Sequence, residues 1–330
     1  MRPRIFALLF LSLLWLPTLS TAQVPAPTWP AKTYYRTIDI DGEKTFYREA
    51  GDPRQPTLLL LHGFPSSSHT YRELIPLLSG RYHVIAPDYL GSGLTAHPDP
   101  LLQPYTFQRL AEHIARFTDA LDLQHYSLYM QDFGAPVGFR LMLLQPDRLQ
   151  ALLVQNANAY LEGLTAARLD FFRQAHLDRT PARVLQLHGL TSPEGVTNLQ
   201  YLRDVNGHPE RISPDAWHHD LAGLRTHAQQ VAQVQLFQDY WTNIEAYPQW
   251  QAFLRMRRPP TLVMWGRHDP AFISPGAIAF KRDLPDAEVH LLDAGHFSVE
   301  ERPVEIAQHI IRFLEALDKR GPLHRNPEHP

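Results

Sequence analysis

Asp132, His296 and Asp269 have the type and the setting to do covalent chemistry together. Asp132 closes the apolar run Tyr126-Ser-Leu-Tyr-Met-Gln131 and precedes Phe133, Gly134 and a helical pattern. This resembles a G-x-S-x-G turn, where small neighbours let one side chain stand exposed on a strained strand-to-helix turn. The tip residue here is a carboxylate. A serine must lose a proton as it attacks, whereas an aspartate is already ionised near neutral pH and can attack an electrophilic carbon directly. The resulting ester needs activated water, and His296, in Asp293-Ala-Gly-His-Phe297, is a candidate base. Asp269, in Gly266-Arg-His-Asp-Pro270, is a candidate to hold the imidazole in one tautomer. Plainer readings compete: a helix cap at Asp132, a loop histidine at 296, a turn initiator at Asp269.

Such residues need rigid supports, and the sequence supplies a regular alternation of them. Segments 33–40 and 44–49 are strand-like around Asp41-Gly42, a strong hairpin dipeptide. Thr57-Leu-Leu-Leu-Leu61 is a continuous apolar run, the pattern of a strand covered on both faces, so a parallel sheet is expected. His62-Gly-Phe-Pro65 follows it directly. Further strands are expected at 82–86, up to Asp132, at 151–155, 261–265 and 288–292, with amphipathic helices at 107–121 and 304–317. The rhythm fails between Asn158 and Arg258, where helix-period residues are broken by Pro181, Pro193, Pro209 and Pro214. That segment reads as a helical insertion over the sheet.

The termini are separate. Arg2 and Arg4 precede an apolar stretch from Ile5 to Leu16, then Ser20-Thr-Ala22. This reads as a secretory signal peptide cleaved after Ala22, placing the mature chain outside the cell or in a periplasm. The competing reading, a membrane anchor, needs ~20 apolar residues, and the stretch is shorter. The domain plan is therefore a signal peptide at 1–22, an extended proline-rich leader at 23–32, a core at 33–157 and 259–317, a helical cap at 158–258 and a flexible tail at 318–330. A net charge of -3 with scattered arginines gives no basic surface for nucleic acid. The sequence has no cysteine, so neither disulfides nor cysteine lipidation enter, and no stable membrane association is expected after cleavage. No spacing of histidines and acids calls for a metal, and none of the motifs calls for an organic cofactor.

In order and register, His62-Gly-Phe-Pro65, Met130-Gln-Asp-Phe-Gly134, Gly266-Arg-His-Asp-Pro270 and Asp293-Ala-Gly-His-Phe297 resemble the α/β-hydrolase superfamily, and within it the epoxide hydrolase and haloalkane dehalogenase branch. The resemblance covers residues 33–317 and implies a mostly parallel central sheet flanked by helices with an inserted helical cap. It implies that Asp132 forms an alkyl-enzyme ester and that His296-activated water cleaves it. The backbone N–H groups of Phe64 and Phe133 are the expected oxyanion donors. In this family the acid can also follow the strand near Gln155, but Asn156 and Asn158 stand there, which favours Asp269.

The leaving group divides the family. Dehalogenases usually place tryptophan after the nucleophile and asparagine after His-Gly; here Phe133 and Phe64 stand there. Epoxide hydrolases use cap O–H donors, generally two tyrosines. Tyr240 lies in a stretch similar to the usual second position, while Phe171-Phe-Arg-Gln174 carries no tyrosine near the first. Tyr160, His176 and Trp241 complete the donor candidates, and Gln131 keeps the halide reading alive. The preferred expectation is hydrolysis of a small apolar epoxide, with haloalkane dehalogenation as the alternative. A non-catalytic ligand-binding protein of this fold is the remote third reading.

Overall fold

The computed structural model describes residues 31–321. The expected signal peptide, residues 23–30 of the leader and residues 322–330 of the tail lie outside the described residues. The chain enters through a hairpin, β1 (Tyr34–Ile40) and β2 (Glu43–Ala50). Asp41 and Gly42 at its tip both have positive φ, 56° and 87°, as a two-residue turn matched to strand twist requires. The remaining strands are β3 (Thr57–Leu61), β4 (His83–Pro87), β5 (Tyr126–Gln131), β6 (Leu149–Gln155), β7 (Thr261–Gly266) and β8 (Glu288–Leu292).

The strands form one eight-stranded sheet in the order β1-β2-β4-β3-β5-β6-β7-β8. Only β1 with β2 and β2 with β4 are antiparallel; every later pairing is parallel. β3, β4, β5 and β7 are buried along their whole length, which is why they read as unbroken apolar runs. β6 begins at Leu149, earlier than the apolar run announces, because Leu149 and Gln150 are only half buried at the sheet margin.

Side chains alternate across the sheet and separate two cores. Leu59, Leu61, Leu128, Met130 and Val154 face one core with the Phe107–Ala120 and Gly134–Leu144 helices. Leu58, Leu60, Tyr129, Leu153 and Leu262 face the other, covered by the Pro303–Asp318 helix. Thr106 begins the Phe107–Ala120 helix by accepting a hydrogen bond from the Arg109 N–H.

Every described element between β6 and β7 is helical. The insertion contains Ala166–Leu177, Pro181–Gly189, Pro214–Ala222, His227–Asp239 and Trp241–Arg257, with shorter turns between them. The prolines expected as breaks mark beginnings: Pro181, Pro193, Pro209 and Pro214 each open a helical segment. Proline suits that position because its fixed φ is helical and its missing N–H has no partner there anyway.

Candidate active site

The loops after β3, β5, β6, β7 and β8 converge at the carboxyl ends of the strands. Asp132 follows β5 directly and adopts φ 51°, a left-handed conformation that aspartate tolerates better than most residues. The helix beginning at Gly134 then turns back against the sheet. The small residues are a steric necessity. A Cβ on Gly134 would sit 2.3 Å from the Leu61 carbonyl oxygen, and one on Gly63 would sit 2.3 Å from the Asp132 Cβ.

Asp132 is 6% exposed, and its two oxygens have different neighbours. Oδ1 accepts a hydrogen bond from the Phe64 N–H at 2.7 Å. Oδ2 lies 3.4 Å from His296 Nε2. The opposite ring nitrogen, Nδ1, is 2.7 Å from Asp269 Oδ2. Asp269 is buried, yet Asn156 Nδ2 donates to its Oδ2 at 2.7 Å, and the Ala271 and Phe272 N–H groups donate to its Oδ1 at 2.7 and 3.0 Å. Burial works against ionisation of Asp269, but the His296 charge and these bonds outweigh it and hold the carboxyl below its ordinary pKa. An ionised carboxylate only accepts, so Nδ1 of His296 carries a proton and Nε2 is the nitrogen turned to Asp132.

Burial alone would lower the His296 pKa, but Asp269 and Asp132 together raise it to about 10. The imidazole is thus charged while Asp132 is ionised. Its backbone is also held: the Gln155 side chain donates to the His296 carbonyl at 3.1 Å, and the His296 N–H donates to Asp204 Oδ2 at 3.0 Å. Asp204 comes from the cap and is accompanied by Arg203, whose Nε is 3.7 Å from Asp204 Oδ2 and whose Nη2 is 4.0 Å from Asp269 Oδ1. Gln131 Nε2 stands 3.4 Å from His296 Nε2.

Of the two expected oxyanion donors, Phe64 is bonded to the carboxylate, the one backbone donor so placed among the described residues. The Phe133 ring packs on Phe64, Phe107, Phe237 and Tyr240 with centroids 5.8, 5.0, 5.3 and 5.6 Å away. The side of the site facing the cap is thus aromatic.

The cap candidates separate. Tyr240 is buried against the site, stacked on Phe172 at 3.8 Å and packed on Phe133. Tyr160 is not turned to the nucleophile: its hydroxyl donates to Asp283 Oδ2 at 2.8 Å, and its ring packs on Phe280. The buried Asp283 carboxylate needs that donor, together with Arg255 at 2.9 Å. His176 is also displaced from the expected role, because its Nδ1 lies 2.8 Å from the Gln238 carbonyl oxygen and its ring lines an outer groove with Thr106 and Arg179. Trp241 is half buried at the start of its helix and packs against the core. Arg203, Asp204 and Gln155 carry no spacing signal that sequence reading could have used.

Residues 56–303 match the family model described as the alpha/beta hydrolase fold. The chain belongs to the α/β-hydrolase fold family. This hydrolase is 40% identical over 278 residues to an uncharacterised hydrolase of Saccharomyces cerevisiae, covering 83% of this chain and 94% of the relative. It is 30% identical over 284 residues to a haloalkane dehalogenase of Mycolicibacterium paratuberculosis, covering 82% of this chain and 87% of the relative. It is 26% identical over 320 residues to epoxide hydrolase A of Mycobacterium tuberculosis, covering 86% and 98%.

Proposed function

We propose that this α/β-hydrolase opens an epoxide through an alkyl-enzyme ester on Asp132. The observation that carries the reading is the division of labour on one carboxylate. Oδ1 rests on the Phe64 N–H at 2.7 Å, and Oδ2 remains for attack. Oδ2 displaces the ring oxygen at a saturated carbon, forming a C–O bond to Asp132 and breaking the epoxide C–O bond. Tyr240, the cap candidate buried beside Phe133, is assigned the protonation of the departing alkoxide. Esterification then removes the Asp132 charge, so His296 loses one of the two carboxylates holding its pKa up, and burial pulls it down. The imidazolium passes its proton on to the phenolate left on Tyr240, which restores that hydroxyl and leaves a neutral imidazole able to act as a base. Nε2 takes a proton from water, the hydroxide adds to the Asp132 carbonyl carbon, and the oxyanion forms on Oδ1 beside Phe64. Collapse breaks the bond from the carbonyl carbon to Oδ2 and releases the diol, which recovers its proton from the imidazolium, and the Asp132 carboxylic acid then gives its proton to His296, restoring the starting pair.

Haloalkane dehalogenation is the second reading, supported by the 30% identical dehalogenase relative and by Gln131 beside His296. Mass spectrometry of the His296→Gln protein separates the two. Loss of the base should slow ester cleavage by about 100- to 10,000-fold and leave Asp132 alkylated. With an epoxide panel the expected mass gain equals the whole epoxide. With bromoalkanes alone, a gain equal to the alkyl group and release of bromide would replace epoxide opening by dehalogenation. A folded protein unmodified by either panel would overturn the nucleophile assignment.

A further inference from the structure

Two consecutive cap residues, Arg203 and Asp204, reach the loop that carries the base. Asp204 Oδ2 accepts the His296 N–H at 3.0 Å. Gly295 leaves room for this approach, since a Cβ there would sit 2.7 Å from both the Asp204 carboxyl carbon and its Oδ1. On the other side of the histidine, Tyr201 stacks on Phe297 with ring centres 4.0 Å apart. Further along the same cap segment, Arg211 Nη1 lies 3.9 Å from Glu301 Oε2, and Glu301 Oε1 accepts the Gly295 N–H at 2.6 Å. The cap therefore holds the base loop both before and after His296.

The nitrogens of Arg203 are divided between two tasks. Nη1 donates to the Leu199 carbonyl at 3.1 Å and to Gln200 Oε1 at 3.5 Å, which ties the guanidinium to its own turn. Nε and Nη2 are buried and have no hydrogen-bond partner among the described residues. Nε lies 3.7 Å from Asp204 Oδ2, and Nη2 lies 4.0 Å from Asp269 Oδ1. Those separations exceed hydrogen-bond reach, yet the attraction is strong because the groups are withdrawn from water. Burial pushes the Asp204 carboxyl above its ordinary pKa and the Asp269 charge adds to the rise, while Arg203, His296 and the bond from the His296 N–H act against it. Arg203 also helps to hold the Asp269 carboxyl down. Without the guanidinium, the two like charges would repel one another beside the base.

From this geometry we propose that Arg203 and Asp204 are positioning residues for the second half-reaction: Asp204 holds the His296 backbone, and Arg203 is the counter-charge that lets Asp204 and Asp269 flank the same histidine. Neither touches the reacting atoms. Both act through His296, so their loss falls on cleavage of the Asp132 ester and not on its formation, in which Oδ2 attacks while the Phe64 N–H holds Oδ1. Displacement of a catalytic group by ~1 Å can slow a step ~100-fold. The inference rests on the Asp132 ester reading and gives the cap a role in it beyond lining the site.

The test is single-turnover kinetics with styrene oxide and with butyl bromide, following the ester on Asp132 by mass spectrometry of quenched samples. In Arg203→Met and in Asp204→Ala, ester should form within about threefold of the native rate and be cleaved about 10- to 100-fold more slowly, so that it accumulates. Conservative changes should recover most of the loss, because Arg203→Lys keeps the charge and Asp204→Asn keeps an oxygen to accept the His296 N–H. Equal slowing of formation and cleavage, or no recovery in the Lys and Asn variants, would make the pair a general support of the cap and overturn the proposal. Ester formed and cleaved at the native rates in both variants would overturn it too, leaving the nucleophile reading intact. If urea unfolding shows that Asp204→Ala does not fold, the comparison of Arg203→Met with Arg203→Lys decides alone. No ester in the His296→Gln protein with either reagent would remove the nucleophile reading, and this inference with it.

Discussion

At the scale of single residues, the site depends on which atoms are free to accept a proton. Asp269 is bonded on both oxygens, and Asn156 supplies one of those donors at 2.7 Å. The Asn156 oxygen is itself occupied, accepting from Gln155 Nε2, the Gly266 N–H and Ser298 Oγ at 2.6, 2.9 and 3.1 Å. Only its amide nitrogen faces the acid. Asn156→Asp would therefore set a second carboxylate against Asp269, and two carboxylates at that distance do not both ionise readily. The expected outcome is an unchanged rate of Asp132 alkylation with ester cleavage slowed by about 10- to 100-fold at neutral pH. Single-turnover kinetics with an active substrate separates the two steps, and an unslowed second step would show that a carboxylate at 156 can serve as well.

At the scale of elements, the nucleophile is placed by two close backbone approaches, β5 into its helix and the loop after β3 beneath it. Gly134 stands where a Cβ would meet the Leu61 carbonyl oxygen at 2.3 Å and the Leu61 carbonyl carbon at 3.0 Å. Those atoms belong to a buried central strand and have little freedom to yield. Gly134→Ala should cost about 1–3 kcal/mol, the usual penalty of overpacking, measured as a shift of the urea midpoint. Activity should fall further than stability explains, because the strain falls on the turn that carries Asp132. Unchanged activity at reduced stability would mean that the elbow relaxes without moving its carboxylate.

For the molecule as a whole, the triad couples chemistry to pH. His296 has its pKa raised to about 10 in the folded chain, against an ordinary value of about 6.5 when unfolded. A raised pKa means that the folded state holds the proton more tightly. The resulting stabilisation is fully present below about pH 6.5 and is lost as pH rises through about 10. The native protein should therefore lose stability across that window relative to His296→Gln, as measured by urea unfolding at each pH. Parallel pH profiles for the two proteins would show that His296 is neutral in the free enzyme. Asp269 has the opposite sign: its lowered pKa stabilises the fold above the ordinary carboxylate range and stops doing so in acid.

Much of this was legible in the chain itself. The apolar runs of β3 and β5 announce a buried parallel sheet because a strand covered on both faces has no polar side to show. Each ends at a turn whose small residues betray the crowding, and the candidates Asp132, Asp269 and His296 are read from side-chain chemistry after β5, β7 and β8. Which cap residues look into the site was decided by tertiary structure alone. Tyr160 and His176 are chemically able donors, yet Asp283 and the Gln238 carbonyl engage them, and those partners lie 123 and 62 positions away along the chain. Asp204 reaches the His296 N–H across 92 positions. Such contacts depend on how each cap helix is rotated about its own axis and where its loops set it down. Periodicity says that a helix has an inward face; only packing says what that face meets.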